Sequence, residues 1–244
     1  MNIFAFVIMV AVNGLAGSTN FIGGKNTAQI SDANPTLITP AGYVFSIWGV
    51  IYLLLGIFVI FQALPSQQGK DFQKKVGWFF VVSSILNVCW LFLWQFGQLG
   101  FSVVLMFLLL ASLLIIYLRL GVGKSKVALN EKLAVHLPFS VYLGWITIAS
   151  IANVAVAAVS ANWDGFGIAA ETWATLVIAI ALLIALLVVF TKKDVAYGLV
   201  ITWAMIGISV KQGGNAVVVT LTQSCAVIVA ISVVATLLIM LKRK

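Results

Sequence analysis

Gly100-Phe101-Ser102-Val103-Val104-Leu105-Met106-Phe107-Leu108-Leu109-Leu110-Ala111-Ser112-Leu113-Leu114-Ile115-Ile116-Tyr117-Leu118-Arg119-Leu120 carries a single charge, Arg119, next to its last residue. Roughly 20 apolar residues in a helix rise about 30 Å, the thickness of a bilayer's hydrocarbon core. Seven further apolar runs, near 2–21, 41–64, 76–97, 132–160, 167–191, 195–210 and 216–241, fill almost all of the remaining chain. Hydrophobic residues make up 63% of the 244 and charged residues 8%, where a soluble domain carries about a quarter charged. The two-residue alternation of a membrane β-barrel is absent. The expected fold class is therefore all-α, a polytopic transmembrane helix bundle of about eight spans. The run 195–210, short between Asp194 and Lys211, would cross by tilting little or by thinning the bilayer locally.

The net charge of +8 does not point to nucleic acid, because the chain has no soluble basic domain to hold a duplex. It is better explained by topology. With eight helices and the N-terminus inside, the inner gaps hold Lys70, Lys74, Lys75, Arg119, Lys124, Lys126, Lys132, Lys192, Lys193, Lys242, Arg243 and Lys244. The outer gaps hold Lys25 and Lys211. Twelve cations against two is a strong positive-inside bias and puts both termini inside. Met1–Gly17 lacks the basic start of a cleaved signal peptide, so it is read as a retained helix. Cys89 and Cys225 both fall mid-helix and imply no disulfide framework.

Residues 22–40 form a long outer loop rich in Gly, Asn, Ser, Thr and Pro, read as a lid, a binding loop or a plain connector. Pro40 suits the first turn of the next helix. The basic inner loop 65–75 and the tail Lys242–Lys244 would lie at anionic headgroups. A faint parallel repeat relates the helix pair 100–120 and 132–160 to the pair 167–191 and 195–210. In it, Tyr142-Leu143-Gly144-Trp145-Ile146-Thr147 is echoed by Tyr197-Gly198-Leu199-Val200-Ile201-Thr202-Trp203. Such repeats underlie many transporters, although two apolar helices also share such likeness by chance.

Converted to depth, the tryptophans lean outward. Trp163 and Trp173 suit an interfacial belt, whereas Trp48, Trp90 and Trp145 lie several residues deeper. Asn87 and Asn153, in the outer halves of their helices, are harder to assign to a belt, because an amide in hydrocarbon must find a partner on a neighbouring helix or in a cavity. Each reads as interhelical glue of about 0.6–2 kcal/mol, or as the lining of a cavity under the long loop. Helical spacing puts Asn87, Trp90 and Trp94 on one face, Trp48 and Tyr52 on another, and Tyr142, Trp145, Ala149 and Asn153 on a third. Three aromatic stripes at similar depth would suit a flat, mostly apolar ligand held by stacking and oriented by amides. The same stripes could pack on one another as core.

These stripes also carry a family likeness. Thr39-Pro40-Ala41-Gly42-Tyr43-Val44-Phe45-Ser46-Ile47-Trp48-Gly49-Val50-Ile51-Tyr52 resembles the second-helix signature of the tryptophan-rich sensory protein (TspO/MBR) family, which includes the mitochondrial translocator protein. Leu86-Asn87-Val88-Cys89-Trp90 with Phe96-Gly97 is similar to its third-helix motif, and Tyr142-Leu143-Gly144-Trp145 with Asn153 to its fifth. The resemblance covers about residues 1–160. It implies a TspO/MBR-like five-helix bundle over 1–160, followed by three additional transmembrane helices and a basic tail over 161–244. It also implies binding of porphyrins, sterols or benzodiazepine-type ligands. The pocket-lining role then falls to Tyr43, Trp48, Tyr52, Asn87, Trp90, Trp145 and Asn153, with Trp94 and Ala149 added from the shared faces. The chain departs from the family pattern at Pro40-Ala41, where a double proline is usual. Its Phe45-to-Trp48 interval is one residue short, which implies an altered rotation of Trp48. Ala155–Asn162 lacks the family's sterol element, and the match at Leu114–Arg119 is a weak pattern.

Catalytic chemistry is poorly represented. His136 is the one histidine and reads as an interface residue. Two distant cysteines make no metal set with it. Gly121-Val122-Gly123-Lys124-Ser125 lacks the leading glycine of a phosphate loop and reads as a helix end and turn. The six acids, Asp32, Asp71, Glu131, Asp164, Glu171 and Asp194, all fall in gaps or near helix ends, with Glu171 the best candidate for a deeper role. The expectation is a non-enzymatic integral protein of the cell membrane. It would bind a porphyrin- or haem-like ligand between its second, third and fifth helices as sensor or carrier, and have no resident cofactor. A secondary transporter of a small amphipathic solute is the alternative. The expected partners are lipid and a small hydrophobic ligand, and Ala149 and Ala157 would permit close pairing in a homodimer.

Overall fold

The computed structural model describes residues 1–18 and 21–242. Positions 19–20, at the end of the first predicted run, and Arg243 and Lys244 of the basic tail lie outside the described residues. The described chain is helical throughout and contains no strand. Its elements are α1 (Asn2–Ser18), α2 (Thr27–Ala33), α3 (Ile47–Ala63), α4 (Asp71–Val76), α5 (Phe79–Gln95), α6 (Leu99–Leu120), α7 (Leu129–Glu131), α8 (Leu137–Ser160), α9 (Ala170–Lys192), α10 (Val195–Lys211) and α11 (Ala216–Lys242). Among the described residues, five helical stretches are long and apolar enough to cross a membrane: Gly42–Ala63, Leu99–Leu120, Leu129–Ser160, Ala170–Lys192 and Ala216–Lys242. Three shorter apolar helices, Asn2–Gly17, Phe79–Gln95 and Val195–Lys211, accompany them.

Local chemistry sets the boundaries. α3 is preceded by a tighter 3-10 turn over Gly42–Ser46. The run predicted from 76 instead starts at Phe79, because Gly77 takes a positive φ after α4. Gly121 caps α6 in the left-handed conformation, so the segment that superficially resembles a phosphate loop is a helix end and turn. Lys132–His136 is a π-turn leading into α8. The long first loop is not structureless. It contains α2, started by a reciprocal capping box between Asn26 and Gln29.

α8 is the central helix. Every residue from Pro138 to Ile148 is buried, because α6, α3 and α10 pack around it. α1 lies against α5 and α3, and α5 against α6. On the far side α10 packs on α11 and α9. Glycines permit two of the closest approaches. A Cβ on Gly198 would sit 2.6 Å from Val233 of α11 and 2.8 Å from Val189 of α9. One on Gly207 would sit 2.1 Å from Val44 in the 3-10 turn. Small residues serve helix packing in this way where burial from water is not the driving force. The two stretches of the faint repeat meet here: Tyr197 and Val200 of α10 flank Gly144 of α8, and the Tyr197 hydroxyl donates to Thr147 Oγ1 (3.0 Å).

The first loop is tied down from both sides. Trp94 Nε1 of α5 donates to the Thr27 carbonyl (3.3 Å). From the other side, Gln212 Nε2 donates to the carbonyls of Thr36 (2.9 Å) and Thr39 (3.2 Å). Lys211 pairs with Asp32 at 2.8 Å, and Ala41 N–H donates to the Gly207 carbonyl (3.0 Å). The C-terminal helices thus hold the cover of the N-terminal ones.

Candidate functional site

The aromatic stripes of α3, α5 and α8 converge as their spacing predicts. Trp48 is the hub: its ring stacks on Tyr52 (5.6 Å between centroids) and Trp90 (6.1 Å), and meets Tyr142 (6.0 Å) and Trp145 (6.1 Å) edge-on. Trp94 continues the row from Trp90 at 5.6 Å. Phe45 of the 3-10 turn, which no sequence motif singled out as a site residue, adds an edge contact to Trp145 (5.9 Å). Such ring pairs each add about 0.5–1.5 kcal/mol beyond burial.

Two amide networks lock these helices. Asn13 Nδ2 of α1 donates to Asn87 Oδ1 (2.7 Å), and Asn87 Nδ2 donates to the Tyr142 hydroxyl (3.0 Å). This line joins α1, α5 and α8. Trp90 Nε1 donates to Asn153 Oδ1 (2.7 Å), and Asn153 Nδ2 to Ser102 Oγ (2.9 Å), joining α5, α8 and α6. Asn87 and Asn153 are thus fully engaged between helices. Asn13 and Ser102 were not singled out in the sequence, because a lone polar residue in an apolar run names no partner.

The space among the rings is small, because the rings fill it themselves. A hollow of about 30 Å³ is lined by Phe45, Trp48, Trp90, Trp94, Trp145, Ala149 and Asn153. Next to it lies a cleft of about 300 Å³ between α1, the start of α2 and α3, bordered by Asn13, Thr27, Phe45, Trp48, Tyr52 and Trp90. Thr27, Phe45, Trp48 and Trp90 line both. Two buried side-chain polar atoms beside the Trp48 ring have no hydrogen bond, Trp145 Nε1 and the Tyr52 hydroxyl. By contrast Trp90, Trp94, Trp173 and Trp203 all donate through their indole N–H. An unpaired buried donor costs about 1–3 kcal/mol, and Trp145 Nε1 is such a donor.

Tyr43 does not join the site. It is half-exposed and packs edge-on against Trp203 of α10 (5.3 Å), whose indole donates to the Val44 carbonyl (3.3 Å). The 3-10 turn winds about 20° more per residue than an α-helix, so Tyr43 is out of phase with Trp48. The acids also need correction. Glu171 is exposed and accepts from Asn215 Nδ2 (2.6 Å), whereas Asp194 is the buried acid at 5% exposure. Its Oδ2 accepts from the hydroxyls of Tyr117 (2.8 Å) and Ser140 (2.7 Å), and its Oδ1 caps α10 at Tyr197 N–H (3.1 Å). His136 is buried in the π-turn with Nε2 unbonded.

Five helical stretches long and apolar enough to cross a membrane, packed into a bundle with an aromatic centre tied by amides, define an integral, multi-pass membrane protein. The profile of the TSPO-like protein family matches residues 1–238, and the chain belongs to that family. The match runs through α9 and α10 and into α11, well beyond the motifs in the first 160 residues. The family is generally one of non-enzymatic binding and sensing proteins. No curated protein and no solved structure matches the chain.

Proposed function

We propose that this protein senses or carries a flat hydrophobic ligand of the porphyrin type, seated against Trp48 where the 300 Å³ cleft meets the 30 Å³ hollow. The cleft is at the lower end of the range for small-molecule sites. A planar ligand enters it by turning the Trp48 ring aside and stacks between Trp48 and Trp90. An acceptor on the ligand then satisfies Trp145 Nε1. That unpaired indole N–H, 2% exposed in the middle of the cluster, is the observation that carries the proposal. Tyr52, Trp94, Ala149, Asn87 and Asn153 complete the walls or hold them.

In this reading residues 1–160 supply the seat and residues 161–244 act as a clamp that keeps the lid in place through Lys211 and Gln212. In the same reading the five long stretches and the three shorter apolar helices all cross the cell membrane, with both termini inside. Helix ends that this alternation assigns to one side do meet: Lys211 with Asp32, Asn215 with Glu171, and Arg119 Nη2 with the Lys74 carbonyl. The test is titration of the purified protein with a porphyrin, followed by tryptophan fluorescence. Saturable quenching, weakened about tenfold or more in Trp48→Ala and Trp145→Ala, is expected, since each change removes stacking or a buried hydrogen bond. Quenching that survives both changes rejects the seat.

One observation favours a second reading, a coupled secondary transporter. Asp194, at the inner start of α10, is buried against α6 and α8, and a buried acid at the mouth of a bundle is a candidate coupling group. Gradient-driven solute flux into proteoliposomes, abolished in Asp194→Asn, would support it. Flux that persists in that variant would count against Asp194 as the coupling group.

A further inference from the structure

A large cavity lies outside the aromatic cluster, on the opposite face of α8. It encloses about 650 Å³ beneath residues 35–39 of the first loop, between the outer halves of α8 and α9. Ile151, Val154 and Ala158 form one wall, and Ala174 and Val177 the other. A void of about 20 Å³ among Ile148, Ile178 and Met205 continues it inward, so the space tapers toward the middle of the bundle. Trp163 and Trp173, 5.3 Å apart between ring centroids, close its end, with Trp173 held by donation to the Gly165 carbonyl (3.0 Å).

Two features say what fits. The open side is bordered by Val154, Val159 and Ile168, which are 44%, 42% and 44% exposed, so entry is lateral, through an apolar border that faces lipid. The polar end carries Asp32, Lys211 and Asp164. Lys211 is already neutralised by Asp32 at 2.8 Å, which leaves Asp164 as a net negative charge at the mouth. No cation in the lining is free to hold an anionic head. The volume suits a single drug-sized or single-chain molecule.

We propose that this cavity binds a neutral single-chain amphiphile drawn from the surrounding leaflet. Its apolar chain lies between α8 and α9, and a hydroxyl head meets the Asp32–Lys211 pair. The site is built from both parts of the chain, α8 on one side and α9 and α10 on the other, and is separate from the seat at Trp48. An occupant that bridges the first loop and α10 also reinforces the clamp on the lid.

The test uses the full chain in phosphatidylcholine nanodiscs, labelled with a diazirine-bearing hexadecanol and mapped by peptide mass spectrometry. Saturable labelling centred on 151–177 is expected. Unlabelled hexadecanol should compete, and palmitate should compete about tenfold or more weakly, since its carboxylate would meet an uncompensated acid. Ala158→Phe or Val154→Trp fills the space and should cut labelling about fivefold or more, while porphyrin quenching at Trp48 stays unchanged. Labelling that never saturates, equal competition by palmitate, or full labelling in both filled variants overturns the proposal. If neither variant folds, saturation and competition on the native chain still decide it.

Discussion

At the scale of single residues, the polar atoms inside the bundle divide into those with a full set of partners and those without. Asp194 belongs to the first group. Replacing it with Ala removes a helix cap and leaves two buried hydroxyls without an acceptor, an expected loss of about 3 kcal/mol. Asp194→Asn has one acceptor oxygen where the carboxylate uses two, so it keeps either the cap or the hydroxyl acceptor and should lose about 1–2 kcal/mol. Thermal unfolding in detergent, followed by intrinsic fluorescence, ranks the two, and equal losses would mean that the oxygen Asn retains contributes nothing. Asp194 was not legible as a buried group, because an acid in a short gap looks like any interhelical turn. Its burial depends on Tyr117 and Ser140, 77 and 54 positions away. Asn87, Trp90 and Trp94 were legible, because α5 buries one face and the i, i+3, i+7 pattern reads that face directly.

At the scale of elements, helix length was the readable quantity and helix surroundings were not. α6 and α11 follow their apolar runs closely, since an uninterrupted run leaves few places to stop. α8 hides its packing. With every residue from Pro138 to Ile148 buried, no polar face exists to give its orientation, and only Tyr142, Trp145 and Asn153 hinted at one. α2 was missed although Asn26-Thr27-Ala28-Gln29 carries the capping-box spacing, because seven residues offer too little periodicity to see. Asn26→Ala should weaken α2 by about 1 kcal/mol, read as faster hydrogen exchange over 27–33 with α5 unchanged. Gly207→Val should push the 3-10 turn off α10, since Val44 already occupies the space a Cβ would need. The expected cost is about 1–3 kcal/mol, with weaker porphyrin quenching because Phe45 moves with the turn.

At the scale of the whole molecule, the first loop connects two halves that the sequence alone separates. Its contacts with Trp94 on one side and with Gly207, Lys211 and Gln212 on the other make the C-terminal helices part of the site's architecture. The proposed eight-span topology, with both termini inside, can be tested directly. Single cysteines at Gln67 and Lys124, in a Cys89→Ser background, should react with a membrane-impermeant maleimide only from inside, and one at Lys25 only from outside. The reverse pattern, or labelling of Gln67 and Lys124 from opposite sides, would contradict the eight-span arrangement. The indole N–H resonances of the ¹⁵N-tryptophan-labelled protein test the proposed ligand seat most directly. Porphyrin should shift the Trp145 signal downfield as its N–H gains an acceptor, perturb Trp48 and Trp90, and leave Trp78 unmoved. A Trp145 signal that stays in place while the ligand is bound would contradict the seat.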